Sequence, residues 1–210
     1  MIELILLDAG GVLFNNVTED SRFFSDLSRV SHITESLLLE RYLAADHLFE
    51  TNAQSVVSVI EETIRSSSDV PSLADDMRWL DEMYLSHVVP VRGTFELIRK
   101  VRSTSSVSFA LANNEAEHWD RLKNAYFQHF SLVDHFASSW HLGVCKPSNF
   151  FFSRALLECH ADSEEVLIVD DNPDVILRAE SFGIKGHLFS TAESLAIALS
   201  SYLDDETVLL

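Results

Sequence analysis

The stretch Leu6-Leu7-Asp8-Ala9-Gly10-Gly11-Val12-Leu13 decides how the rest of the chain is read. An apolar run stops at an acid, and two glycines follow at once. Read as a turn, Asp8 bonds its own backbone beside residues that tolerate unusual φ. Read as a site, Asp8 is a carboxylate at a strand tip, with bare backbone beside it to wrap an anion. The choice depends on whether other polar groups end at the same edge.

Outward from this stretch, three runs share its character: IELILL (2–7), VSFALA (107–112) and VLIV (166–169). They are short, apolar and largely unalternating, as strands buried on both faces of a parallel sheet are. Weaker strands are expected at 134–139 and 185–189. Helical patterns lie between them at 94–102, 115–127, 148–160 and 173–182, and a last helix is expected near 192–203. This alternation predicts an α/β fold, a Rossmann-like parallel sheet flanked by helices.

The segment between Val12 and Val70 contains neither Gly nor Pro. Its apolar residues fall on helical faces: Phe23, Phe24, Leu27 and Val30; Leu38, Tyr42, Ala45 and Leu48; Val56, Val59, Ile60 and Ile64. Leu73, Met77, Leu80 and Tyr84 extend the pattern. Residues 15–88 are therefore expected to form an inserted small helical bundle of roughly four helices, with RSSSD (65–69) as a loop. The sheet-bearing core would be 1–14 and 89–210.

The chain has 210 residues and a formal net charge of -18. That balance excludes broad binding to nucleic acid or to acidic membrane surfaces, which requires clustered Lys and Arg. It does not exclude a small anionic substrate at a locally positive site. Cys145 and Cys159 are too few for a disulfide scaffold and lack zinc-site spacing. The evenly spaced His129, His135 and His141 fit neither a helix face nor a metal motif. The opening run carries Glu3 and is too short to span a bilayer, so it reads as a strand of a cytoplasmic protein.

In open α/β sheets, ligands bind outside the carboxyl ends of the strands. Asp8 follows the first strand, and Asn113 and Asn114 follow the second. Lys146 lies in the loop GVCKP, and Asp170, Asp171, Asn172 and Pro173 follow VLIV. Each has a plain structural reading: a turn, a helix N-cap, a solvated loop lysine, a cap followed by proline. Together they make a different case. Two acidic sites can hold Mg²⁺, a lysine can neutralise a phosphate, and amides at loop ends can cradle its oxygens.

In this order and spacing the motifs resemble the haloacid dehalogenase (HAD) superfamily over nearly the whole chain. The motif-bearing stretches are LLDAGGVL, FALANN, GVCKPSNFFF and VLIVDDNPDVILRAESFGI. The chain looks most like the helical-cap subgroup that includes sugar-1-phosphate phosphatases and the N-terminal domain of soluble epoxide hydrolases. The resemblance implies that Asp8 is a nucleophile forming an aspartyl-phosphate, with Lys146 pairing Asp8 and the phosphate. It implies Mg²⁺ at Asp8, the Gly10 carbonyl and Asp171, with Asp170 beside them. Gly10, Gly11, Asn113 and Asn114 would take the phosphate oxygens, and the helical insert would cap the site.

The sequence also departs from that pattern. Position 10, where most phosphatases of the family carry an acid that protonates the leaving group, is Gly10. Position 112, normally a hydroxyl donor, is Ala112, and the usual polar residue of the last motif falls on Val175, beside Asp174. General acid–base help is worth roughly a hundredfold to ten-thousandfold. The expectation is therefore a Mg²⁺-dependent phosphatase acting on a small phosphorylated metabolite and favouring good leaving groups. The alternatives are a catalytically silent HAD-fold binding protein and a haloacid dehalogenase, although the aromatic residue dehalogenases carry at position 10 is absent. Arg22, Arg29 and Arg41 read as solvated, His118 and Trp119 as packing or pocket-edge residues, and Cys145 as a small buried side chain.

Overall fold

The computed structural model describes residues 1–203. Five parallel strands form one sheet in the order β3-β2-β1-β4-β5. They are β1 (Leu4–Leu7), β2 (Ser108–Leu111), β3 (His135–Phe136), β4 (Val166–Asp170) and β5 (Lys185–Leu188). β1 lies at the centre, with Leu7 beside Leu111 on one side and Val169 on the other. The carboxyl ends of β1, β2 and β4 therefore stop at one level, and the residues that follow them meet at one edge.

The strands are apolar on both faces because both faces are covered. Ile5, Leu7, Phe109, Leu111, Leu167 and Val169 belong to one core cluster, and Leu4, Leu6, Ala110, Val166 and Ile168 to the other. This is the period-two alternation of side chains across a strand. The second face is covered by α9 (Asn149–Cys159) and α10 (Pro173–Ser181), through residues such as Phe151, Phe152 and Val175. Ser148 caps α9 by accepting from the Phe150 N–H, and Asn172 caps α10 by accepting from Asp174, with Pro173 in the first turn. The cap reading of Asn172-Pro173 is thus realised. For Asn113 and Asn114 it is not, because the following helix, α7 (Glu117–Phe127), starts after Ala116.

The first face is covered by α6 (Arg92–Thr104), α7 and α11 (Ala192–Leu203), and its cluster continues without a break into the inserted helices. These are α1 (Val17–Asp20), α2 (Phe23–Ser31), α3 (Glu35–Glu50), α4 (Val56–Ser67) and α5 (Arg78–Ser86); a short α8 (Ser139–Leu142) lies after β3. Tyr84 of α5 stacks on Trp119 of α7, with ring centres 4.1 Å apart and planes at 7°. Phe23 meets the same indole edge-on. Asn15 ties the two connections of the insert together. Its side chain donates to the His87 carbonyl and accepts from the Val89 N–H.

Two helical expectations are corrected. Leu73, Met77, Leu80 and Tyr84 do not share one helix. Pro71 starts a 3-10 turn ending at Asp75, Asp76 is extended, and its carboxylate accepts from the Arg78 N–H where α5 begins. The expected loop at 65–69 is shorter, because α4 runs to Ser67.

A buried polar network sits beside α7. Asp120 accepts from Trp140 Nε1 at 2.9 Å and pairs with His129 Nε2 at 3.0 Å; both Asp120 and His129 are fully buried. Burial pushes the Asp120 carboxyl up, but His129, Lys123 and Trp140 together hold it below the usual carboxylate range. A depressed carboxyl stabilises the fold above its unfolded pKa, and this is lost as pH falls through the folded value. Asp120→Asn should therefore cost about 1.5–3 kcal/mol at neutral pH. In urea unfolding, the gap from wild type should close as pH drops below about 4. A gap that stays constant down to acid pH would contradict this reading.

Candidate active site

The edge where β1, β2 and β4 end forms the floor of a cavity of about 570 Å³. Asp8 stands one residue past β1, and its N–H bonds the Val169 carbonyl of the neighbouring strand. Asp8 Oδ1 accepts from its neighbour's Ala9 N–H at 2.7 Å and lies 3.0 Å from Lys146 Nζ. The same ammonium lies 2.6 Å from Asp170 Oδ2, and Asp170 Oδ1 accepts from the Asn172 N–H. All three charged groups are buried. Burial raises the Asp8 carboxyl, Lys146 opposes that, and Asp170 adds to it; burial lowers the Lys146 ammonium, but the two carboxylates outweigh it and raise it overall. The lysine is thus held as a cation shared by two acids.

Asp171 completes the acidic set. Oxygens of Asp8, Asp170 and Asp171 lie within 4.8 Å of one another. Asp171 is half-buried, its carboxyl is raised mainly by burial, and its Oδ2 accepts from Asn16 Nδ2 at 3.1 Å. A set of carboxylate oxygens suits a hard divalent cation such as Mg²⁺. Gly11, at φ 66°, lies against this acid, and a Cβ there would overlap Asp171 Oδ2.

Asn113 and Asn114 divide their roles. Asn114 Nδ2 donates to the Lys146 carbonyl and its Oδ1 accepts from the Lys146 N–H, at 2.9 and 2.8 Å. Its side chain therefore holds the lysine-bearing loop, a role the sequence reading did not assign. Asn113 is 1% exposed and lines the cavity, yet among the described residues neither atom of its carboxamide has a hydrogen-bond partner. A buried amide left unpaired is costly, so this group calls for a ligand or water.

The other sequence candidates sort clearly. Ala112 is buried with no hydroxyl to offer, and Val175 is a buried apolar residue at the cavity edge. Asp174 is exposed and does not line the cavity. Arg22, Arg29 and Arg41 are exposed and none lines the cavity. His118 pairs with Asp81 away from it, and Trp119 is core.

The upper wall holds residues the sequence reading missed. Tyr42, Asp46 and Glu50, spaced four apart on α3, line the cavity with Tyr84 and Glu115. Glu115 accepts from Lys123 Nζ at 2.7 Å and from the Tyr84 hydroxyl at 3.3 Å. Glu50 accepts only from the Cys145 thiol among the described residues, and burial pushes it up to about 7. Burial, with the Glu50 carboxylate beside it, pushes the Cys145 thiol up to about 12. Extending the Leu38–Tyr42 face by two further turns would have found this stripe.

Among the described residues, no helix is long and apolar enough to cross a membrane. No family model matches the chain. A drimenol cyclase of Aspergillus calidoustus is 25% identical over 209 residues, covering 96% of this chain and 36% of that protein. The chain thus spans about a third of the length of that relative. A HAD family enzyme of Bacteroides thetaiotaomicron superposes with a TM-score of 0.77 at 17% identity, covering 94% of this chain and 98% of that one. In a complex with magnesium and inorganic phosphate, that enzyme superposes at 0.73 and 17% identity, covering 91% and 96%. An L-2-haloacid dehalogenase of Xanthobacter autotrophicus, with chloropropionic acid covalently bound, gives 0.62 at 19% identity, covering 96% and 83%. The chain has the fold of the haloacid dehalogenase superfamily.

Proposed function

We propose that the protein is a Mg²⁺-dependent phosphatase of HAD type that hydrolyses a small phosphorylated metabolite through an aspartyl-phosphate. The observation that carries this reading is the cavity floor, where Asp8, Lys146 and Asp171 converge beside an Asn113 carboxamide that has no partner among the described residues. The magnesium and phosphate bound by the similarly folded Bacteroides enzyme support it. The helices from α1 to α5 serve as a cap, since α1, α3 and α5 supply residues to the cavity wall.

Both polar contacts of Asp8 fall on Oδ1 among the described residues, so Oδ2 is the oxygen left for attack. It forms a bond to phosphorus while the bond to the leaving oxygen breaks. Lys146 neutralises charge gathering on the phosphoryl oxygens, and the Asn113 amide and the Gly10–Gly11 backbone donate to them. Mg²⁺, held by Asp8, the Gly10 carbonyl and Asp171 with Asp170 behind, would screen nucleophile from phosphate. Water then attacks the phosphorus, the Asp8–phosphate bond breaks, and the carboxylate is restored. The departing oxygen takes its proton from solvent, because Gly10 offers none, and this favours activated esters such as aryl or anomeric phosphates.

The acidic wall bears on the haloacid alternative. A haloacid carries its own carboxylate into the cavity, where it would meet Asp46 on the wall. A phosphate ester with a neutral or positively charged leaving group avoids that repulsion.

Phosphate release measured on a panel of an aryl phosphate, glucose 1-phosphate, glucose 6-phosphate and a 2-haloacid tests the proposal. We expect Mg²⁺-dependent release, fastest on the activated esters, no halide release, and a loss of about 10⁴-fold or more in Asp8→Asn. Halide release, or turnover of glucose 6-phosphate equal to the aryl ester, would refute it. Lys146→Met should abolish turnover and cost about 3–5 kcal/mol at neutral pH, because two buried carboxylates then face each other without a cation. That cost should shrink as the solution is acidified and Asp8, whose carboxyl burial raises, protonates, and Mg²⁺ should restore part of it. A melting temperature insensitive to both pH and Mg²⁺ would count against the shared-cation floor.

A further inference from the structure

Position 10 has no side chain, yet the space a side chain would enter is not open. A Cβ placed on Gly10 would overlap Asn16 Oδ1, and Asn16 Cγ would lie 3.6 Å from it. The Gly10 backbone is outside the left-handed region, so the obstacle is Asn16 and not the local conformation. Asn16 is fixed there by its bond from Nδ2 to Asp171 Oδ2 at 3.1 Å. Both Gly10 and Asn16 line the cavity floor beside Asp8 and Asp171.

We propose that positions 10 and 16 form one seat, and that Asn16 fills it as the residue that sets leaving-group specificity. This rests on the phosphatase reading above and deepens it. A carboxamide accepts and donates hydrogen bonds but has no proton to give up. Filling the space that a side chain from position 10 would enter, it can orient a group bound there without protonating it. Its Nδ2 is already committed to Asp171, so Oδ1 is the atom presented near Gly10, and it accepts from a hydroxyl on the leaving group. The substrate class is therefore an activated phosphate ester whose leaving group carries a hydroxyl near the ester oxygen, such as an anomeric sugar phosphate. Asn16 also acts as a positioning residue, because its bond orients the Asp171 carboxylate toward the metal-binding set.

The shared seat makes the two positions interdependent. Gly10→Ala alone should destabilise the protein, because the new methyl displaces Asn16 from Asp171. Gly10→Ala with Asn16→Ala should be less destabilised than the two single costs predict, a coupling that a double-mutant cycle of urea unfolding reads directly. This arm needs no turnover, so it stays informative if no ester is hydrolysed and the phosphatase reading itself fails. For activity, Gly10→Asp alone should lose turnover on every ester. Gly10→Asp with Asn16→Ala should clear the seat and raise turnover of an alkyl phosphate relative to an aryl phosphate by about 10²-fold. Asn16→Ala alone should weaken Mg²⁺ binding, measured by calorimetry, without raising the alkyl-to-aryl ratio. Additive stabilities in the cycle would overturn the shared seat. Wild-type activity in Gly10→Asp alone, or unchanged Mg²⁺ affinity in Asn16→Ala, would overturn the role given to Asn16.

Discussion

One buried ammonium, Lys146 Nζ, holds the site together. Asp8 and Asp170 end neighbouring parallel strands, and the register that aligns Leu7 with Val169 forces the two acids side by side. Two carboxylates that close and that buried cannot both ionise without a counter-charge. The lysine supplies it at 2.6 and 3.0 Å, and it comes from a loop on the far side of β2. Asn114, just past β2, grips that loop at both its N–H and its carbonyl. Three strand ends are thereby tied to one cation, and the floor of the cavity is set before any ligand arrives.

The upper part of the cavity is governed by packing. The inserted helices share one apolar cluster with a face of the sheet, and Trp119 is where they join, stacked on Tyr84 and met by Phe23. Asn15 clasps the two connecting segments. This joint sets the wall that carries Tyr42, Asp46 and Glu50 above the floor. Under the proposed function, specificity would come from what this wall tolerates and from what Asn16 presents below it.

Much of this was legible in the sequence. The three short apolar runs form β1, β2 and β4, because a strand buried on both faces has no polar side to show. The strand expected at 134–139 is realised only at His135–Phe136, an edge strand with partial burial and so a weak pattern. The residues after the strands were legible because sheet topology alone brings them to one edge. Asn16 was not, since it meets Asp171 across 155 residues and only the fold places it against Gly10. Asp46 and Glu50 are hidden in the sequence because the apolar stripe of α3 continues past Tyr42 through Ala45 and Leu48, so the acids beside it read as its solvated flank and not as a cavity wall. Asn114 had the right location, but its bonds to a backbone at Lys146 leave no trace in sequence.

The role proposed for Asp8 is that of a nucleophile assisted by a divalent cation. It is tested most directly by ¹⁹F NMR of the protein with Mg²⁺ and beryllofluoride, which mimics a phosphoryl group on a carboxylate. Bound fluorine resonances that require Mg²⁺ and vanish in Asp8→Asn are expected. Bound resonances that persist in Asp8→Asn, or none at saturating Mg²⁺ in the folded wild type, would contradict it.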